Sequence, residues 1–393
     1  MFRSIGFGLA TLTLITAIGC GDDGAGFGGG AGFGDGTGGS PSGEGGSGGA
    51  SEGLGGSGGA GGEEAPGLEP YPDFCEFEYD ADGNGRIDRR ERNRFDEDWN
   101  LIQDLEDVDG DGDWDRSGWN TWMDGRLALQ GLDNNGDGLN DSLTRYEWDE
   151  EGRILSLRQE RGTGLFVYVA RYSYSSDGLS GRVETDQDAN GTVDRIKELT
   201  WDEDGNMTSE IEDGDNDGDS DIVITQSWDE HGKLALKLTD YNDDGIDLRE
   251  EWVRDAQGRL LRHEEMDGLG NLHERETYLY DDEARTTTLS DDTNGDGRID
   301  HRSIWTRNEE SQIVRTERDF NADGIVDFIS YNTYDEFGNR VGIDLDNSAD
   351  GTVDSVETWT FNERGNYTSR EIDHGVDGII DSASTYNYDC FAE

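Results

Sequence analysis

The residues best suited to chemistry in this 393-residue chain are acidic, and they recur in register. A pattern D-x-[DN]-x-[DN]-G-x-x-D sets oxygen-bearing side chains at positions 1, 3, 5 and 9 and a glycine at position 6. Its copies supply Asp80, Asp82, Asn84 and Asp88, then Asp107, Asp109, Asp111 and Asp115, then Asp133, Asn135, Asp137 and Asp141. They continue through Asp186, Asp188, Asn190 and Asp194, and through Asp213, Asp215, Asp217 and Asp221. The last three comprise Asp292, Asn294, Asp296 and Asp300, Asp319, Asn321, Asp323 and Asp327, and Asp346, Ser348, Asp350 and Asp354. With a backbone carbonyl at position 7, such a loop can wrap a hard cation that takes six to eight oxygen ligands, so calcium is the expected ion rather than zinc. Asp, Asn and Gly also form turns with no metal at all, but eight copies in register exceed what turn chemistry requires. Weaker copies open at Asp240, Asp267 and Asp373, and a decayed one lies near Glu160. Whether those four hold metal is left open by their residues.

The first copy runs on to Glu91 at position 12 and resembles an EF-hand loop, in which that acid is bidentate. Phe95, Trp99, Ile102 and Leu105 follow at helical spacing, so residues 73–128 are expected to form a small helical EF-hand- or dockerin-like cap. The later copies mostly lack an acid at position 12, where Thr144, Lys197, Ile224 and Ser330 stand, while Glu357 keeps one. Those loops resemble the nine-residue calcium loops that join strands in integrin-type propellers.

Loops spaced 25–27 residues apart need an element between them. Aromatics fall two apart before a second turn, as at Tyr278 and Tyr280, Trp359 and Phe361, and Tyr386 and Tyr388, a β-strand period. The turn itself recurs as Trp148-Asp149-Glu150-Glu151-Gly152-Arg153 and Trp201-Asp202-Glu203-Asp204-Gly205-Asn206. Each of twelve units thus reads as loop, strand, tight turn and returning strand. Residues 133–389 resemble the YD repeats of RHS-type proteins, and the resemblance implies one long curved antiparallel sheet. The expected fold is mainly β, a coiled or superhelical meander of 27-residue hairpins over 129–393, behind the helical cap. Proline is absent after Pro72, as it should be where backbone N–H groups are committed to a sheet ladder.

The start of the chain is of another kind. Ile5 to Ile18 is apolar and ends on Ala17-Ile18-Gly19-Cys20, which resembles a bacterial lipobox; the resemblance implies a signal peptide over 1–20 and a lipid on Cys20. Residues 21–69 contain 24 glycines, so 21–72 reads as a disordered tether. Cys75 and Cys390 bracket the repeats as a possible disulfide. A bridge brings Cα atoms within about 7 Å, whereas the ends of twenty open strands lie roughly 95 Å apart. Either the sheet closes or coils, or the cap folds back, or the cysteines pair elsewhere or stay free.

With 91 acidic against 32 basic residues, cations are natural partners and nucleic acid is not. The histidines, His231, His263, His273, His301 and His374, are scattered along the sequence, and no nucleophile motif is present. The expectation is a non-catalytic, calcium-binding surface lipoprotein of a bacterium, structural or adhesive, meeting the membrane through its lipid alone, with a protein or polysaccharide as the candidate ligand. The alternative is an RHS-like shell or presenter for another polypeptide. A calcium-dependent carbohydrate-active enzyme is a third reading.

Overall fold

A computed structural model describes residues 74–162 and 164–388. They form 24 strands and no helix, from β1 (Glu76–Asp80) to β24 (Ser382–Asn387). Every strand pairs antiparallel with its neighbours in sequence, and β1 also pairs with β24, Glu76 opposite Asn387 through Asp80 opposite Ala383. The meander is therefore closed into a barrel, which corrects the expectation of an open coil. The physical reason is the edge: a terminal strand left open exposes a row of unpaired N–H and C=O groups, and joining first to last satisfies both. Closure also brings Cys75 to the last strand, where its N–H donates to Asn387 O at 2.9 Å. Cys75 is disulfide-bonded; Cys390, like Cys20, lies outside the described residues.

The helical cap is corrected too. Its described residues fall in β1, β2 (Arg89–Phe95), β3 (Leu101–Asp107), β4 (Arg116–Met123) and the start of β5 (Arg126–Asp133). The spacing from Phe95 to Leu105 straddles a turn in which Asp96 Oδ1 accepts from the N–H groups of Asp98 and Asn100 at 2.9 Å. Trp99 takes φ 66° there, a place other units give to glycine, and this disguised the turn.

Alternation along each strand defines two faces. In β12 (Ile222–Trp228), Ile224, Gln226 and Trp228 are half-buried while Thr225 and Ser227 are exposed. In β22 (Ser355–Phe361), Trp359 and Phe361 are likewise shielded between exposed Thr358 and Thr360. The aromatic face is the shielded one, hence the inward one. Among the described residues only Cys75, Val169 and Ala170 are buried hydrophobics. The outward face carries Arg90, Arg92 and Arg94 on β2 and Arg145 and Glu147 on β6 (Ser142–Trp148), unlike the apolar band of a transmembrane barrel.

Polar tips join one hairpin to the next. Trp228 Nε1 donates to Met207 O at 2.9 Å, Trp148 Nε1 to Leu127 O at 2.8 Å and Tyr334 Oη to Ile313 O at 2.8 Å. Each aromatic stands beside a β-bulge that aims it at the preceding hairpin.

Candidate metal centres

Because the strands run up and down, alternate connections share a rim. All acidic loops follow odd-numbered strands and so line one rim; the four-residue Asp-Gly turns line the other. The loop after β9 (Ser180–Asp186) shows how each is built. Asp186 is 1% exposed, its Oδ1 accepting from Asn190 N at 2.9 Å and its Oδ2 from Gly191 N at 2.8 Å. Asp194 Oδ2 accepts from Gln187 N at 2.7 Å, while Asn190 Oδ1 accepts from Thr192 N at 2.8 Å. Gly191 has φ 94°, which a residue with a Cβ adopts only under strain.

These bonds gather the acids. Donor oxygens of Asp80, Asp82 and Asp88 lie within 4.8 Å of one another, as do those of Asp107, Asp109 and Asp115, of Asp186, Asp188 and Asp194, and of Asp213, Asp215 and Asp221. A fifth group, Asp240, Asp244 and Asp247, belongs to the shortened loop whose role the sequence left open. Loops with a neutral third position, Asn135, Asn294, Asn321 and Ser348, lack the third carboxylate: Asn294 Nδ2 instead donates to Asp300 Oδ2 at 2.9 Å. Glu91 stands apart from the first triad; it lies on β2 opposite Phe77 and Glu106, and Arg89 Nη2 donates to it at 2.6 Å.

The donor sets suit a hard cation, and one atom in particular calls for it. Asp107 has a fully buried side chain, and its Oδ1 has no hydrogen-bond partner. A buried carboxylate oxygen left bare is costly and requires an explanation. The other oxygen accepts from Arg90 Nη2 at 2.6 Å and Gly112 N at 3.1 Å. Burial pushes this carboxyl up, but the Arg90 bond and the loop amides outweigh it and hold it below the usual range.

Neighbouring loops touch, which the motif alone did not show. A Cβ on Gly83 would fall 1.8 Å from Ile380 O, on Gly110 2.3 Å from Ile87 O, and on Gly136 2.6 Å from Trp114 O. Position 4 of one loop thus nests on the carbonyl at position 8 of the loop before it, and the first loop nests on the last across the seam. On the opposite rim, Asn206 Nδ2 donates to Asp202 Oδ2 at 3.0 Å and Asn339 Nδ2 to Asp335 Oδ2 at 2.9 Å. These side-chain bonds hold both carboxyls below their ordinary range.

No protein-family model and no curated protein matches the chain. Among solved structures it is similar to the Photorhabdus luminescens Tc holotoxin pore, with 14% identity and TM-score 0.37 over 78% of this chain and 18% of that one. It is similar also to the TcdB2–TccC3 complex, at 13% identity and TM-score 0.37, covering 78% of this chain and 19% of that one. A porin-like protein of Bacteroides uniformis gives 10% identity and TM-score 0.22, covering 82% of this chain and 99% of the other. The chain thus spans about a fifth of the toxin chains it resembles, and alignments this loose leave its function to its own geometry.

Proposed function

We propose that this protein is a non-catalytic shell, a calcium-braced barrel whose lumen encloses or presents another polypeptide. The observation that carries the reading is a closed sheet whose inward face, among the described residues, has no core to fill it. Twenty-four strands about 4.8 Å apart have a girth of about 115 Å, or a width of about 37 Å if round, against the ~10 Å at which facing sheets pack. The inward aromatics are only half-shielded, and that amphipathic wall is suited to a folded or threaded chain.

Calcium at the rim triads supports this role by neutralising mutual repulsion among carboxylates and tying each loop to the next. In the same proposal Cys20 carries a lipid and residues 21–72 form the tether, so that the barrel stands off a bacterial membrane. The test is native mass spectrometry of the protein taken from its own cells in calcium. A stoichiometric polypeptide, shielded from protease and shed on chelation, is expected. An empty barrel that instead holds a polysaccharide or a surface receptor on its outer face would replace the shell by an adhesive scaffold.

A further inference from the structure

Two rim loops carry the same acids. Asp107 to Asp115 and Asp213 to Asp221 each place aspartate at positions 1, 3, 5, 7 and 9. Their surroundings differ in one side chain. Directly opposite Asp107 on the neighbouring strand is Arg90, whereas Ile196 is opposite Asp213. Arg90 Nη2 donates to Asp107 Oδ2 at 2.6 Å, and its Nε to the same oxygen at 3.2 Å. Arginine is opposite position 1 in two more loops, Arg275 at Asp292 and Arg302 at Asp319. Among the described residues neither pairs with its loop, and Arg275 is turned to Glu264 instead.

The carboxylate opposite the arginine is also held differently. In the twin loop Asp213 Oδ1 accepts from Asp217 N at 3.1 Å and Oδ2 from Gly218 N at 3.0 Å. The same two-point hold recurs at Asp186, Asp292 and Asp346. At Asp107 the loop holds Oδ2 alone, through Gly112 N at 3.1 Å, and Oδ1 has no partner although the side chain is fully buried. Such an oxygen requires an explanation, and the acids gathered around it point to a cation, while the oxygen beside it is engaged by a guanidinium. Arg90 has other places to rest. The exposed Glu78 of β1 is directly opposite it on the other side, and the centroid of the Trp114 ring is 5.6 Å from Arg90 Cζ.

We propose that Arg90 is a built-in competitor for calcium at this one loop: the guanidinium neutralises Asp107 when calcium is low and swings to Glu78 when the ion binds. The inference rests on the reading that the rim triads take calcium. It makes the Asp107 loop fill after its twin, and it ties that filling to β1, the strand that closes the seam with β24. Breaking an ion pair whose arginine is part-exposed corresponds to a loss of about fivefold in affinity.

Terbium, a luminescent substitute for calcium, tests the assignment when it is titrated into the full chain and then displaced with calcium. The share of the luminescence that Trp114→Phe abolishes belongs to the Asp107 loop, because Trp114 is at its position 8 where the twin has Ser220. Arg90→Met should raise the calcium affinity of that share about fivefold and leave the other loops unchanged. Arg92→Met is the control: its guanidinium is 5.4 Å from the same ring but pairs with Glu76, so the midpoint should stay where it is. The reverse change avoids any dependence on how the Arg90 variant folds. Ile196→Arg, read through Ser220→Trp in the twin loop, should lower calcium affinity there by about the same factor. Midpoints within about twofold of the parent's for both Arg90→Met and Ile196→Arg overturn the competitor and leave calcium at the rim. Absence of terbium and calcium uptake by any loop overturns the calcium reading itself, and the competitor with it.

Discussion

If the five rim triads hold calcium, removing it should cost the barrel a calculable amount of stability. Extracellular calcium modules bind with Kd near 10⁻⁴–10⁻³ M. At the tight end, 1 mM free calcium stabilises each site by RT ln(1 + 10), about 1.4 kcal/mol. Five sites then contribute about 7 kcal/mol. Roughly 310 ordered residues unfolding at about 2.1 cal/mol/K each have an entropy near 0.65 kcal/mol/K, so the midpoint should rise by about 10 °C between chelator and 1 mM calcium. Differential scanning calorimetry at constant ionic strength measures it. Asp215→Asn, which removes one carboxylate from one triad, should take away up to a fifth of the gain. A rise under 2 °C, or the same rise from sodium chloride alone, would refute the reasoning and leave the loops as turns whose acids are merely screened.

Other expectations concern the rest of the ring. Trp228→Phe keeps the ring but loses the bond to Met207 O; it should cost about 1 kcal/mol and speed hydrogen exchange in β11 (Met207–Asp213) and β12, but not in β20 (Phe328–Tyr334), and uniform acceleration would contradict the stitching role. Cys75→Ser should lower stability by about 2–4 kcal/mol and loosen β1 and β24 first; exchange that begins elsewhere would place the weakest seam in another hairpin. Asp202 and Asp335 have folded pKa values below their unfolded ones, so the stability they contribute is present above the ordinary carboxylate pKa near 4 and is lost as pH falls through the lower folded value. Replacing Asp335 by Asn should therefore flatten the acid limb of a urea-denaturation profile below about pH 4 and leave its neutral limb parallel to the parent's.

Much of this architecture was legible in the residues. The period of two in the aromatics and the recurrent loops specify antiparallel hairpins, and twelve units correspond to 24 strands. Closure was not legible, because a repeat contains the same local information whether its chain ends are apart or joined; the Cys75 and Cys390 pair posed the question without answering it. The segment after Glu91 misled because Trp99 occupies a left-handed position normally signalled by glycine, so a turn read as part of a helix.

Closing an up-and-down sheet on itself has an arithmetic consequence for descent. First and last strands pair antiparallel here, so a ring that keeps this seam has an even strand number and changes by whole hairpins. Duplicating one 27-residue unit would add two strands and about 10 Å to the girth, with a new loop nesting between two old ones. Half a unit would leave the final strand parallel to the first, so that the seam would have to be rebuilt as a parallel pair. The barrel can thus be resized by gene duplication in fixed steps, each changing its girth while leaving the local contacts of the other hairpins as they were.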